Sequence, residues 1–141
     1  MAKVIYNNII PIKGYQAITV WPFVFARKSA KWLKDYVKNH ESIHLRQQFE
    51  VMAASAVILA ALCLSCISWW WMFLALAVYY LWCGIEYVVR LFLYGNHKEA
   101  YRNIAAEQEA YLHEDDFNYL AKDRRMFAWV RYITMKTYKR K

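Results

Sequence analysis

The chain consists of polar arms on either side of one long apolar stretch. Residues 51–85 contain no charged side chain in 35 positions. One straight helix of that length would be about 50 Å long, well beyond a hydrocarbon core of about 30 Å. Two spans fit better, about 51–66 and 70–89, joined by a turn near 66–69 with Trp69, Trp70 and Trp71 in an interfacial belt. The pattern therefore predicts a two-span membrane hairpin. A re-entrant hairpin and a buried helical pair in a soluble oligomer explain the uncharged run less simply.

The segment before the apolar stretch has the period of a helix. Ser29 is a predicted N-cap, and residues of one face then recur about every fourth position, namely Trp32, Tyr36, His40, His44, Gln48 and Met52. No Gly or Pro lies between Pro22 and Gly84, so we expect the helix predicted over 29–50 to continue directly into the membrane.

Residues 1–27 have the composition of extended chain. They are rich in β-branched and aromatic residues, with Pro11, Gly14 and Pro22 at turns or strand edges. The pattern predicts a short hairpin or a pair of edge strands, whose exposed edge could bind an extended peptide. A loosely ordered arm packed on the helices is the alternative.

The C-terminal arm predicts more helix. Gly95 and Asn96 indicate a helix stop, a polar helix follows over about 97–113, and Asp115 with Asp116 indicates the start of a further short helix. The segment 124–138 mixes aromatic with basic residues, which is typical of a membrane-surface segment and equally of ordinary packing. The predicted fold is thus mainly α, a single domain over 1–141 with an extended arm (1–27), a ligand helix (29–50), a membrane hairpin (51–89) and cytoplasmic helices (97–141).

The charge distribution predicts the orientation in the membrane. The chain has 19 Lys and Arg against 11 Asp and Glu, a net charge of +8; eight of the basic residues precede the apolar stretch and eleven follow it. By the positive-inside rule, both termini should be cytoplasmic. Anionic lipid headgroups sufficiently explain the positive charge, so we expect the bilayer and no nucleic acid as partner. The three cysteines all lie in the apolar stretch. We expect them to act as small buried hydrophobic residues rather than in metal binding or redox chemistry.

The residues most informative about chemistry are His40, Glu41 and His44, which form an HExxH motif. Positions four apart share one face of a helix, so both imidazoles can bind one metal ion. Zinc held by two His and one carboxylate keeps a position for water and lowers the pKa of that water to about 7. Glu41, next to His40, would then act as general base. The alternative is a charged helix start with two incidental histidines.

The third ligand should come from the later polar helix, which offers Glu107 and Glu109. Two residues apart on one helix, these carboxylates point about 200° from each other, so at most one faces the metal. Glu107 shares its face with Tyr111, which could contact a ligand His. Glu109 shares its face with His113, which would give a local pair that needs no metal. Glu107 is therefore the preferred ligand and Glu109 the alternative.

An HExxH helix, a membrane segment and a later helix reading Glu-x-Glu-Ala-Tyr resemble the membrane-bound gluzincin metallopeptidases. The layout is similar also to small bacterial membrane proteins with HExxH, Arg-Gln-Gln and a two-span hairpin. The resemblance implies a third ligand at Glu107, with Tyr111 in place of the family's Asp. The chain lacks the family's additional spans and lid.

The sequence and the resemblance together predict a zinc metallopeptidase in a bacterial inner membrane, cleaving membrane-associated or unfolded peptides at the cytoplasmic face. His40, His44 and Glu107 would bind Zn²⁺ and Glu41 would activate water. Tyr111 and His113 are candidate donors to the oxyanion. The alternatives are a non-catalytic membrane protein with a structural or sensory metal site, and a small adaptor without metal. The oligomeric state is not predicted.

Overall fold

The structure is a computed structural model, and it describes residues 3–11, 15–29 and 33–134. It confirms a mainly helical chain with a small N-terminal sheet. The strands are β1 (Lys3–Asn7), β2 (Ala17–Val20) and β3 (Phe23–Arg27), and the α-helices are α1 (Asp35–Ser65), α2 (Val78–Tyr94), α3 (His97–Arg102) and α4 (Ala105–His113). Short 3₁₀ helices cover Trp69–Leu76 and Ala128–Tyr132, and a π-helical turn covers Tyr119–Asp123.

The N-terminal sheet has the strand order β1-β3-β2. β2 and β3 form an antiparallel hairpin, as the sequence predicts, while β1 joins the other side of β3 in parallel. Alternation along β3 buries Val24 and Ala26 completely. Along β2 it leaves Ile18 and Val20 exposed and turns Thr19 inward, where that side chain is buried.

Helix α1 begins later than the sequence predicts. Ser29 lies in a turn, and the helix begins at Asp35. Asp35 suits the first turn because the N-terminus of a helix favours negative charge. The prediction that Trp32 continues the helical face falls outside the described residues. From Asp35 the helix continues without interruption to Ser65, about 46 Å, so it does run directly into the apolar stretch.

Helix α1 is long and apolar enough to cross a membrane, and only 11% of an apolar 18-residue segment of it is buried. The core helix of a soluble protein would instead be mostly buried. Large apolar side chains stand exposed along α1 and the residues that follow it, among them Val57, Ile58, Leu64, Trp70, Phe73, Ile85, Phe92 and Leu93. Apolar surface of this extent marks a membrane or an interaction site.

The second predicted span is not one straight helix. The 3₁₀ helix Trp69–Leu76 and helix α2 meet at a bend of 54°. Together they are long and apolar enough for one broken span, or for a re-entrant loop. The break after α1 does fall where the sequence places the turn, since Ser65 is its last helical residue. The two-span arrangement stays a prediction.

The helix predicted over 97–113 is interrupted. Helix α2 ends at Gly95, which takes the left-handed conformation (φ 63°), and the Asn96 side chain accepts the amide hydrogens of Lys98 and Glu99 at the start of α3. One turn later Asn103, fully buried, donates from its side chain to the backbone oxygen of Glu99 (2.8 Å). Such side-chain bonds to the backbone compete with helix continuation, and α4 begins afresh at Ala105.

The chain forms two compact units. The first is drawn from Met1–Arg46 and Glu109–Arg125, and its core contains Ile43, Ala110 and Tyr119. Asp115 lies in a turn and Asp116 outside any element, and the short π-helical turn that follows them begins at Tyr119.

The second unit is drawn from Gln47–Gln108 and Met126–Lys141. One of its apolar clusters contains Tyr79 and Ile104, and another contains Trp129 and Tyr132. Trp129 and Tyr132 of the 124–138 segment are buried in the second unit, whereas Met126 and Val130 are exposed. Residues 135–138 of that segment lie outside the described residues.

Candidate metal centre

The two motif histidines converge at one point. His40 and His44 lie one turn apart on α1, with their Nε2 atoms 3.1 Å from each other and their rings inclined at 74°. Two nitrogens that each bind one tetrahedral zinc at about 2.1 Å lie roughly 3.4 Å apart. The two Nε2 atoms are thus within a few tenths of an ångström of the separation that a shared ion requires.

A carboxylate from α4 completes a three-residue group. His40, His44 and Glu107 each present one ligand atom, and these three atoms lie within 4.8 Å of one another. His44 and Glu107 are buried, and the His40 side chain is 12% exposed. Two imidazoles and one carboxylate form a donor set that divalent transition metals accept, and it is the set of many catalytic zinc sites. The group can therefore hold a metal ion.

The second ring nitrogen of His40, Nδ1, is hydrogen-bonded to a carboxylate that was not predicted from the sequence. Nδ1 of His40 lies 3.1 Å from Oε2 of Glu114, whose side chain is 6% exposed. A carboxylate on Nδ1 holds the proton there and leaves the Nε2 lone pair for a metal. Glu114 follows directly after α4, 74 residues from His40, so no periodic pattern along the chain pointed to it.

Asn39 fixes the position of Glu114. Its side-chain nitrogen lies 2.9–3.0 Å from the backbone oxygens of His113, Glu114 and Asp116. Asn39 is buried and directly precedes His40 in α1. The first turns of α1 therefore contain the candidate ligand His40 and also Asn39, which holds the turn that carries Glu114 against His40.

Glu41 contacts strand β2 of the sheet. The residue is buried, and the Thr19 hydroxyl of β2 donates to its Oε2 atom. The same hydroxyl lies 3.2 Å from the backbone oxygen of Glu41. Thr19 is another residue that sequence reasoning missed, because its 22-residue separation from Glu41 depends on how the sheet folds.

The two candidate glutamates of α4 have different surroundings. Glu107 accepts a hydrogen bond from the Tyr101 hydroxyl (2.5 Å), a contact not foreseen from the sequence. Glu109 is fully buried and accepts from Nε of Arg124 (2.6 Å) and from the Tyr119 hydroxyl (3.0 Å). Glu109 is thus part of a buried ion pair with Arg124.

The two predicted oxyanion donors lie in different places. The Tyr111 ring contacts His40 edge-on, with 4.7 Å between ring centroids. The His113 ring stacks on Tyr119 at 3.6 Å, and its backbone oxygen accepts from Asn39. Tyr111 is therefore the one of the pair in contact with a ligand of the metal group.

Comparison with known proteins identifies no relative: no family model, no curated protein and no solved structure matches the chain.

The identity of the third ligand can be tested with a matched pair of substitutions. Glu107→Gln should lower the zinc content of the purified protein, because an amide is a weaker ligand than a carboxylate. Glu109→Gln should retain zinc but lower the unfolding temperature, because it leaves the Arg124 charge buried without its partner; breaking such pairs costs about 3–5 kcal/mol. Metal analysis and thermal unfolding of the two variants decide whether Glu107 or Glu109 is the third ligand. Zinc retained in Glu107→Gln and lost in Glu109→Gln would assign the ligand to the other face of α4.

The role of Glu114 gives a second prediction. Glu114→Gln should weaken zinc affinity by about 10–100-fold, because the amide no longer holds the His40 tautomer in the binding form. Competition with a chromophoric chelator measures this affinity. Asp115→Asn, at the exposed neighbouring residue, removes the same charge and should leave the affinity unchanged. Equal losses in the two variants would mean that general charge, not the contact to His40, is responsible.

Proposed function

We propose that this chain is an integral membrane metallopeptidase, which uses zinc bound by His40, His44 and Glu107 to hydrolyse peptide bonds. The observation that carries the proposal is that His40, His44 and Glu107 each present one ligand atom within 4.8 Å of the others, while Glu41, next to His40 on α1, is a buried glutamate. A structural metal site needs only the ligands, and the peptidase proposal differs from it by using the Glu41 carboxylate as well.

The membrane location is supported by the exposure of α1. His44 precedes the apolar stretch by seven residues, about 10 Å along the helix axis. A site at this distance lies close to the membrane surface, on the side that carries the basic arms. We propose the cytoplasmic face of a bacterial inner membrane, and membrane-associated or unfolded peptide as substrate.

When bound, zinc would supply a Lewis acid for the scissile carbonyl and a water of lowered pKa. Glu41 accepts the proton of the attacking water and transfers it to the departing amine. Thr19 fixes the rotamer of Glu41 through the hydrogen bond to Oε2. Glu114 holds the proton on Nδ1 of His40, and Tyr101 fixes one oxygen of Glu107.

Developing negative charge on the substrate oxygen needs a hydrogen-bond donor. Tyr111 is the better placed of the two residues that the sequence suggests, because its ring contacts His40. We assign it this role in the proposal. His113 is stacked on Tyr119 and belongs to the support of the site.

A second function is favoured by one observation. His44, Glu107 and Glu41 are all less than one-tenth exposed, and a buried group of this kind also suits a structural or sensory site, in which a further protein ligand takes the place of water. Such a site binds metal equally well but hydrolyses nothing. The difference between the two functions is therefore measured by turnover and not by metal content.

Glu41→Gln tests the catalytic proposal. The variant should keep its zinc, because Glu41 is not a ligand, and should lose about 10²–10⁴-fold in peptidase rate, because an amide cannot accept the proton. The measurement is cleavage of a fluorogenic peptide library by protein in micelles, with zinc content determined on the same samples. Glu99→Gln at an exposed position is the control. Unchanged turnover in Glu41→Gln would overturn the assignment, and absence of turnover in the wild type would favour the structural site.

The topology can be tested on a native thiol. Cys66 is exposed at the end of α1, whereas Cys63 is buried. In intact cells a membrane-impermeant maleimide should label Cys66, and Cys66→Ser should abolish the signal. A cysteine introduced by Ser29→Cys in that background should react only after lysis, because we place the N-terminal arm in the cytoplasm. Labelling of Ser29→Cys but not of Cys66 from outside would move the site to the opposite face of the membrane, and labelling of both would mean that α1 does not cross it.

A further inference from the structure

The second unit contains a cavity that has no part in the proposed metal site. Its volume is about 240 Å³. It is lined by one buried ion pair, Glu86 with Arg90, and otherwise by apolar side chains, namely Trp82, Ile85, Val89, Leu93 and Ile133. The cavity is open along one side of α2, since Ile85, Val89 and Leu93 are each more than half exposed. A ligand can therefore enter from the side of the helix.

Arg90 keeps one branch of its guanidinium for a ligand. The residue is only 6% exposed, and it donates to Oε1 of Glu86 from Nε (2.8 Å) and Nη2 (2.6 Å). Nη2 donates also to the backbone oxygen of Ile133 (3.2 Å). Nη1 carries two further N–H groups, and no residue in the described part of the chain accepts from them. Nη1 is not among the polar atoms that are buried there without a partner, so it keeps accessible surface. The polar group that the cavity offers is thus a donor.

Glu86 orients Arg90 and is itself closed to a ligand. Its Oε1 atom accepts both bonds from Arg90 and a third from the backbone N–H of Ala105 (2.9 Å), the first residue of α4, and its Oε2 atom is buried. The N-terminus of a helix carries a partial positive charge of about 0.5. The Glu86 charge is therefore shared between Arg90 and α4, which leaves these three groups with an excess of positive charge. An anionic acceptor complements this excess.

The position of Arg90 along α2 selects the kind of anionic acceptor. In the membrane arrangement proposed above, the second span ends near position 89, so Arg90 lies at the level of the lipid headgroups. Trp82 lies eight residues earlier, about 12 Å along the helix axis, so the apolar walls extend from Arg90 toward the hydrocarbon. A phosphate at headgroup level with an acyl chain below it is the structure of a glycerophospholipid. Arginine binds phosphate oxygens through charge-assisted hydrogen bonds.

We propose that this cavity binds a glycerophospholipid of the surrounding bilayer. Its phosphate accepts hydrogen bonds from Nη1 of Arg90, and the upper part of one acyl chain packs along Trp82, Ile85 and Val89. The proposal rests on the membrane location proposed for the chain, and it does not depend on the metal site.

The test compares two photoreactive lipids with identical diazirine-bearing acyl chains on the full-length protein in neutral maltoside micelles. One is a phosphatidylglycerol, and the other is the corresponding diacylglycerol, which keeps both ester carbonyls but lacks the phosphate. The phosphatidylglycerol should label the segment 82–93 saturably, and the diacylglycerol should label it roughly tenfold less, as expected for loss of one hydrogen bond to a charged group. Mass spectrometry locates the labelled peptide. Equal labelling by both probes, or no saturable labelling, would refute the proposal. Neither result bears on peptidase turnover, which is measured on separate samples with peptide substrates.

Two matched substitutions locate the site. Val89→Trp places an indole in the cavity and should abolish labelling by the phosphatidylglycerol. Val88→Trp introduces the same side chain at an adjacent, similarly exposed position that does not line the cavity, and should retain labelling. Labelling of Val89→Trp at the wild-type level would place the lipid elsewhere and contradict the proposal. If Val89→Trp fails to fold, the comparison of the two probes on the wild type still decides.

The role of the second guanidinium branch is tested by Arg90→Lys. A lysine keeps the charge and can pair with Glu86, but its single ammonium group has no second branch to present to the cavity. The tenfold preference for the phosphatidylglycerol should therefore be lost. Arg102→Lys makes the same exchange at the end of α3, away from the cavity lining, and should keep the preference. Retention of the preference in a folded Arg90→Lys protein would show that Nη1 does not select the ligand.

Discussion

The continuity of helix α1 is the constraint on which the rest of the structure depends. An α-helix fixes both the rotation and the rise per residue, so the same backbone that brings His40 and His44 to one face also fixes their distance from the apolar stretch. A kink between His44 and Val51 would leave that distance undefined. The helix contains neither Gly nor Pro, the residues most often found at kinks.

The metal group is supported by buried polar contacts rather than by apolar packing alone. In three hydrogen bonds a buried ionisable side chain has a specific partner. The pairs are His40 with Glu114, Glu41 with Thr19, and Glu109 with Arg124. Removing one partner leaves the other unsatisfied, and that cost discourages alternative arrangements of the same side chains. For the peptidase proposed above, a site made this way would need little reorganisation when substrate binds, which is the condition for electrostatic stabilisation of a transition state.

What could be predicted from the sequence was local. The spacing of His40 and His44 on a helix needs only the i, i+4 rule, and Gly95 with Asn96 marks a helix end by backbone preference. The angle between side chains two residues apart shows only that at most one of Glu107 and Glu109 faces the metal; the preference for Glu107 came from the face that it shares with Tyr111 and from the gluzincin resemblance.

The remainder depends on contacts between distant parts of the chain. Thr19 and Glu114 lie 22 and 74 residues from the motif residues that they touch, and a linear pattern contains no signal for such pairs. The parallel pairing of β1 with β3 is non-local in the same way. The later start of α1 and the interruption at Asn103 are boundary errors, which arise because one side-chain hydrogen bond can end a helix whose periodicity continues.

The uninterrupted α1 also has a mechanical consequence. The apolar part of α1, residues 51–65, is about 22 Å long and therefore shorter than a hydrocarbon core of about 30 Å. His40 lies about 18 residues, or roughly 27 Å, from the middle of this part. In the membrane arrangement proposed above, a rigid tilt of about 10° would therefore move His40 by roughly 5 Å, almost entirely parallel to the membrane surface. Tilting would thus shift the two imidazoles sideways and leave their distance from the lipid headgroups nearly constant.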